Sequence, residues 1–288
     1  MNETIRILFR IVAAGSLAVL LLASASAYAK PARIVSLNLC IDGLLLDLAE
    51  RDRIAAVSYL SFKPAYSPRA SEFEGLTAVY GLAEEVLALE PDLVLTGPFS
   101  PRNTTRLLEK FGYRVVELPV ANSIDDMRNL ISEVARLIGE EEAGAAMLSD
   151  IDRRLAALPP PPPEPLRAVL YGANGLTAGA DTLAEDVLRR AGFSSMTAAA
   201  GISGWRWIDL ETLLATRPDV LVMEEFRDGP PSVGRAVLAH PALARFAEMR
   251  AIVTFPESQW ECAGPGTVTA VEQLAAARLA LDGAADAP

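Results

Sequence analysis

A twelve-residue pattern that occurs twice constrains this chain more than any other feature. Residues 84–95, EEVLALEPDLVL, return 127 positions later as residues 211–222, ETLLATRPDVLV. Glu84/Glu211, Leu87/Leu214, Ala88/Ala215, Pro91/Pro218 and Asp92/Asp219 are identical, and four further positions exchange one aliphatic residue for another. Each copy reads as a short helix that opens with a carboxylate, stops at proline, turns through Pro-Asp and enters an apolar strand. Proline lacks the N–H a helix needs and disfavours the helical conformation in the residue before it, so the chain turns there. The strands LVL and VLV show no polar alternation, which predicts that both faces are covered, as in a parallel sheet flanked by helices. The separation is too long for a solenoid repeat. The pattern predicts two similar α/β lobes, each carrying an equivalent helix-to-strand corner.

The first residues predict an address. Arg6 and Arg10 precede an apolar run, 11–23, and Ala27-Tyr28-Ala29 forms a small-x-small site, so residues 1–29 read as a cleavable export signal with Lys30 as the first mature residue. The run is shorter than the roughly 20 residues a spanning helix requires. Without these residues the formal charge is −12, which argues against a nucleic-acid partner and suits a soluble protein that meets a basic surface. The remaining length accommodates two domains of ordinary size.

The expected N-terminal lobe, 30–139, begins with strands at 33–37 and 53–58, with Asp42 as the N-cap of a leucine-rich helix, 43–49. Residues 59–80, with Pro64 and Pro68, read as a loop over a site. Ser123 opens a helix with Asp126 as a capping-box partner and apolar residues at 124, 127, 130, 131, 134, 137 and 138, ended by Gly139. A second helix, 140–158, would be about 28 Å long and runs into five prolines. Residues 140–165 therefore read as a stiff connector. The C-terminal lobe, 166–288, starts with a strand at Arg167, a glycine-rich turn at 173–180 and a helix at 182–191. It closes with a strand at 252–255 and a helix from 267 to about 281.

Several chemistries fail on residue count. The single histidine, His240, stands before proline in a helix-starting turn and reads as structural. Gly201-Ile202-Ser203-Gly204 is no nucleophile elbow, Gly172, Gly175 and Gly179 match no nucleotide loop, and an imidazole-rich metal site lacks ligands. No cofactor is implied. What remains is a set of aromatics and two cysteines where strands give way to helices, the place where open α/β sheets bind ligands. Tyr59, Tyr80, Trp205, Trp207 and Trp260 could grip a large flat ligand by stacking, or could cap each lobe's core. Cys40 and Cys262 could both face the space between the lobes. An exported pair is usually a disulfide, which here would pin the lobes together, whereas free thiols could contact a metal centre.

The ordered set of segments resembles the extracytoplasmic solute-binding proteins of ABC importers for ferric siderophores, haem and cobalamin. It comprises RIVSL with a leucine-rich helix, DRIAAVS, the E-x-V-L-A-L-x-P-D-L-V-L corner, TAGADTLAEDVLRRAG, the second corner, HPAL and the closing helix. The likeness runs from about Arg33 to the C-terminal helix. It implies two α/β lobes with mostly parallel sheets, a long helix bridging them, a ligand cleft between them and small opening motions. It also implies that Glu84 and Glu211, one at the tip of each lobe, dock onto arginines of a membrane permease. In the cobalamin binders a tryptophan precedes the second glutamate, and Trp205 stands at that place; the cysteines at SLNLC and after Trp260 depart from that pattern.

These readings converge on a monomeric periplasmic binding protein, not an enzyme, whose partners are a metal chelate and an inner-membrane ABC permease. The chelate is a corrinoid, a ferric siderophore or haem. The expected ligand contacts are Asn38, Cys40, Tyr59, Tyr80, Trp205, Trp207, Trp260 and Cys262. The alternative from another class is an envelope redox or chelate-processing enzyme that uses Cys40 and Cys262.

Overall fold

The computed structural model describes residues 30–225, 236–249, 251–256 and 262–285. The export signal expected at 1–29 and Trp260 lie outside the described residues. The first lobe is built on a parallel sheet of β1 (Ile34–Ser36), β2 (Ile54–Ser58), β3 (Ala78–Val79), β4 (Leu93–Thr96) and β5 (Val115–Glu117), in the order β3-β2-β1-β4-β5. Its helices are α1 (Leu39–Leu48), α2 (Ala83–Leu87), α3 (Arg102–Lys110), α4 (Ile124–Ile138) and α5 (Glu141–Ala156). The second lobe contains β6 (Arg167–Tyr171), β7 (Leu176–Ala178), β8 (Ser194–Ser195), β9 (Trp205–Trp207), β10 (Val220–Glu225) and β11 (Ala251–Pro256). Four of these make a parallel sheet in the order β11-β10-β6-β8, while β7 and β9 pair antiparallel as a separate ribbon. Helices α6 (Leu183–Arg190), α7 (Met196–Ala199), α8 (Leu210–Thr216), α9 (Pro241–Met249) and α10 (Pro265–Ala285) complete the lobe.

The repeated pattern folds as a repeated structure. Both corners pass through a residue with left-handed backbone, Glu90 at φ 46° in the turn after α2 and Arg217 at φ 49° at the end of α8, each followed by a buried proline. The aspartate after the proline then fastens the neighbouring strand. Asp92 accepts the N–H groups of Ala32 and Arg33 at 2.8 and 2.9 Å, just ahead of β1, and Asp219 accepts the Arg167 N–H at 3.0 Å at the start of β6. The two arginines are equivalent as well. Arg33 donates from its guanidinium to the Leu89 carbonyl, and Arg167 to Asp219 and to the Arg217 carbonyl. Beyond the corner, Leu93, Leu95, Val220 and Val222 face one extended core, while Val94 and Leu221 face the outer core of their own lobe. The unbroken apolar runs are thus explained by a covering layer on each face.

The extended core runs from β1, α1 and α4 through to β6, α6 and α10. Helix α4 follows the sequence reading closely. Ser123 accepts the Asp126 N–H at 3.0 Å, all seven apolar positions are buried, and Gly139 ends the helix at φ 73°. Its first N–H, from Ile124, donates to Asp186 of α6 at 2.8 Å, which ties α4 to the second lobe. Helix α5 has 16 residues, shorter than the sequence reading, and spans about 24 Å. It lies on α4, where Gly144 approaches Ala135, and reaches α10 through Arg154, which bonds Glu272 and Thr269.

One local reading needs correction. The N-cap of α1 is Asn38, whose side chain accepts the N–H groups of Cys40 and Ile41 at 3.0 and 3.2 Å, so the helix starts four residues before the expected 43. Asn38 and Asp42 are both capping types, and Asn38 wins because it is the residue with extended backbone at the exit of β1. Asp42 instead lies inside the helix, fully buried. Its Oδ2 accepts the Ser58 N–H at 2.9 Å and the Ser61 hydroxyl at 2.6 Å, while Oδ1 has no partner in hydrogen-bonding geometry among the described residues. Burial pushes its pKa from 3.8 up to about 7, against the pull of the neighbouring polar groups of Ser36, Ser61 and Ser58.

Because the folded-state pKa lies above the unfolded one, protonated Asp42 favours the fold. That contribution is fully present below about pH 4 and is lost as the pH rises through about 7. Asp42→Asn keeps an acceptor for Ser58 and Ser61 and cannot ionise. At pH 8 it is expected to be more stable than the wild type by on the order of 3 kcal/mol, the gap closing towards pH 4, as read from denaturant unfolding at both pH values. A gap that stays the same at both would refute this account.

Candidate functional site

The carboxyl ends of the parallel strands carry the candidate residues of the first lobe, and an antiparallel ribbon carries the tryptophans of the second. In the first lobe Asn38 follows β1, Tyr59 follows β2 and Tyr80 follows β3. The rings of Tyr59 and Tyr80 stack with centroids 4.8 Å apart and an interplanar angle of 19°. Tyr59 opens a tight helical turn, Tyr59–Phe62, and Tyr80 is 63% exposed, with its N–H donated to Glu85 at 2.8 Å. Asn38 spends its carbonyl on the cap, and its amide nitrogen packs so close to Gly97 that a Cβ there would lie 2.6 Å away. Capping is thus its visible duty. Phe99, 86% exposed just beyond β4, joins this rim and was not singled out from the sequence. The available signal was an aromatic directly after the Gly-Pro turn that leaves the corner strand.

In the second lobe Trp205 and Trp207 stand on β9, 38% and 71% exposed. Two residues apart on a strand, they share a face. The ribbon that presents them starts at Gly175, where a Cβ would sit 2.1 Å from the Ile208 carbonyl, so only glycine permits that approach. This is why the glycine-rich segment, expected to be a plain turn, contains a strand. Among the described residues no ring contact joins the tyrosines of one lobe to the tryptophans of the other.

Cys40 and Cys262 form a disulfide between the first turn of α1 and the residue that leads into α10, with Cα atoms 4.9 Å apart across 222 residues of sequence. This corrects the free-thiol reading: both sulfurs are consumed by the bond, so neither is available as a thiolate ligand, and among the described residues no cluster of His, Cys, Asp or Glu could hold a metal. The disulfide instead forms part of the wall of a cavity of about 290 Å³, lined also by Leu44, Tyr66, Phe73 and Pro265. Arg69 stands at this cavity, bonded to Asp47 and Glu72 at 2.7 and 2.8 Å.

Glu84 and Glu211 are exposed in the first turns of α2 and α8. In each lobe a different carboxylate does the capping. Glu85 accepts the N–H groups of Tyr80 and Leu82, and Asp209 that of Thr212, so Glu84 and Glu211 have no ion pair among the described residues. His240 caps too: its ring accepts the Ala242 N–H at 3.2 Å. No helix among the described residues is long and apolar enough to cross a membrane.

The disulfide closes a loop of over two hundred residues, for which the chain-entropy model gives about 5 kcal/mol and measured cases 2–4. The double replacement Cys40→Ser/Cys262→Ser is expected to lower unfolding free energy by about 2–5 kcal/mol. Alkylation of the unreduced protein, read by mass spectrometry, should find no free thiol; a labelled cysteine would remove the bond from this account.

A family model described as periplasmic binding protein matches residues 34–250. A cobalamin-binding protein of Halobacterium salinarum is 28% identical over 223 residues, covering 75% of this chain and 60% of that protein. The chain therefore spans about 60% of the length of the curated relatives it matches. A periplasmic haem-binding protein from Roseiflexus sp. RS-1 superposes with a TM-score of 0.68 at 22% identity, over 85% of this chain and 97% of that one. The periplasmic vitamin B12 binding protein of Vibrio cholerae gives 0.64 at 19%, over 88% and 98%. A structure from Saccharomonospora viridis, titled as an ABC-type Fe3+-hydroxamate transport system, gives 0.65 at 23%, over 85% and 92%. At these identities the structural likenesses establish the two-lobed α/β fold.

Proposed function

We propose, on the premise that the chain belongs to the periplasmic binding protein family, that it captures a metal chelate outside the cytoplasm and delivers it to an ABC permease. The observation that carries this reading is a pair of aromatic groups, Tyr59 stacked on the exposed Tyr80 at the carboxyl ends of β2 and β3 in the first lobe, and the exposed Trp205 and Trp207 on the β7–β9 ribbon of the second. A macrocycle offers flat apolar faces, and stacking on them needs rings that are both exposed and held. The relative and the solved structures are named for such chelates: cobalamin, haem and a ferric hydroxamate. A corrinoid is our first choice, since a relative 28% identical in sequence is named for cobalamin. No bond is made or broken in this role.

The division of labour follows. Residues 1–29 export the chain and are removed; lobes 30–139 and 166–288 hold the ligand between them, with 140–165 as the connector. Glu84 and Glu211, at matching positions and without an ion pair among the described residues, present the loaded monomer to basic residues of the permease. Charge complementarity of this kind governs orientation and association rate more than affinity.

The test is a titration of the mature protein from Lys30 with cobalamin, haem and ferric hydroxamates, followed by tryptophan fluorescence with correction for ligand absorbance. Saturable one-to-one quenching by one chelate is the expected result, and folded protein that answers to none of them would sink the chelate reading. Replacing Glu84 and Glu211 together by alanine is expected to abolish uptake in cells and leave the dissociation constant within about twofold, since docking charges govern association with the permease and not the ligand. A fall in affinity would reassign both to the ligand site.

A further inference from the structure

The least economical residue in the first lobe is Asp42. It is a fully buried carboxylate in a helix otherwise packed by leucines, and its Oδ1 has no partner in hydrogen-bonding geometry among the described residues. A buried carboxylate is costly unless its bonds compensate, and an apolar residue of similar size would pack there at no such cost. Its bonds all end at one place. Oδ2 receives the Ser58 N–H and the Ser61 hydroxyl, the residues on either side of Tyr59 and Leu60, and the Ser58 hydroxyl in turn accepts the Leu60 N–H at 3.3 Å. The turn that carries Tyr59 is therefore clamped from beneath by a single oxygen. Above it the Tyr59 ring meets Tyr80, whose backbone is fixed separately by Glu85.

We propose that Asp42 is a positioning residue for the ligand: by clamping Ser58 and Ser61 it fixes the turn that presents Tyr59, and with it the aromatic platform of the first lobe. This rests on the reading of Tyr59 and Tyr80 as ligand contacts. A ring on an unclamped turn must be ordered at the moment of binding, and that cost appears as lost affinity; a ring already stacked in place avoids it. No charged side chain takes part in the clamp. The groups that act on Asp42 are Ser36 from β1, the Ser58 backbone at the end of β2 and Ser61 from the turn, and α4, which packs against α1, contributes no charge to it.

Cyanocobalamin and haemin serve as probes, with dissociation constants and off-rates measured for Asp42→Ala, Ser61→Ala, Asp42→Asn, Tyr59→Ala and the Asp42→Ala/Tyr59→Ala pair. Loss of the clamp is expected to raise the dissociation constant about tenfold, mainly through the off-rate, and Asp42→Asn to restore it to within about twofold. The decisive comparison is the double variant, which should bind no more weakly than Tyr59→Ala alone, because Asp42 acts only through that ring. Additive losses, or Asp42→Asn as weak as Asp42→Ala, would overturn the proposal; if Asp42→Ala does not fold, Ser61→Ala carries the same comparison. Should neither probe bind the wild type, the corrinoid and haem readings fail by themselves, and the clamp is read in the ligand-free protein by hydrogen exchange. Amides 58–62 should then exchange about tenfold faster in Ser61→Ala and Asp42→Ala, with those of α3 unchanged; unaltered exchange at 58–62 would refute the clamp.

Discussion

The architecture depends on how one aspartate follows one proline. In each lobe a short helix must reverse into a buried parallel strand with almost no loop, and proline alone cannot do this, because it stops the helix without saying where the chain goes next. Asp92 and Asp219 supply the direction. Each binds backbone N–H groups at the start of the neighbouring strand, β1 or β6, so helix, turn and two adjacent strands are fixed together. The cost is a left-handed residue before each proline, Glu90 or Arg217, a conformation that nonglycine residues enter reluctantly. Aspartate bonds and buried prolines hold it there. With the corner set, the exposed first-turn glutamates and the strand ends have fixed positions relative to one another in both lobes.

How much of this could be read from the sequence depended on how local the cause was. Helix α4 was legible because Ser123, Asp126 and Gly139 act within a few residues of themselves, and the apolar positions between them follow the helix period. The corners were legible because they occur twice. Asp42 was misread because capping type is a property of the residue while capping is a property of the backbone, and Asn38 had the extended conformation that the role requires. The ribbon of β7 and β9 was missed since its cause is a close approach between Gly175 and Ile208, far apart in sequence and without periodicity. For Arg33 and Arg167 a signal existed: both open the strand beside the corner, but at a separation different from that of the twelve-residue pattern.

Much the same holds for the candidate site. The aromatic types and their places after strands were visible, and so were the two cysteines, but which of them meet was not. Pairing is a tertiary fact. Tyr59 and Tyr80 stack because β2 and β3 are neighbours in the sheet, an order that the sequence leaves open. The cysteines bond because the first helix of one lobe and the last helix of the other meet at their N-termini, where a Cβ on Gly264 would meet Leu44 at 3.7 Å. Phe99 was passed over because a Gly-Pro-Phe turn reads as punctuation until it is seen exposed at the end of a buried strand.

These contacts also bear on how the molecule could take up a ligand. A wide hinge between the lobes would have to separate Ile124 from Asp186, strip Arg154 from Glu272, open an apolar core that runs without interruption from β1 to α10, and stretch a covalent bond from α1 to the entrance of α10. Any one of the polar contacts is worth little, but exposing a share of that core costs about 25 cal/mol for every Å² of apolar surface, and the disulfide does not yield at all. The lobes are therefore held at nearly constant distance, and on the proposed chelate-binding role adaptation to a ligand falls to elements outside this frame. Those elements are the 59–62 turn, the Tyr80 and Phe99 rim and the β7–β9 ribbon. In a frame this stiff, the groups that fix those few elements, Asp42, Glu85 and Gly175, decide how much order is already in place before a ligand arrives.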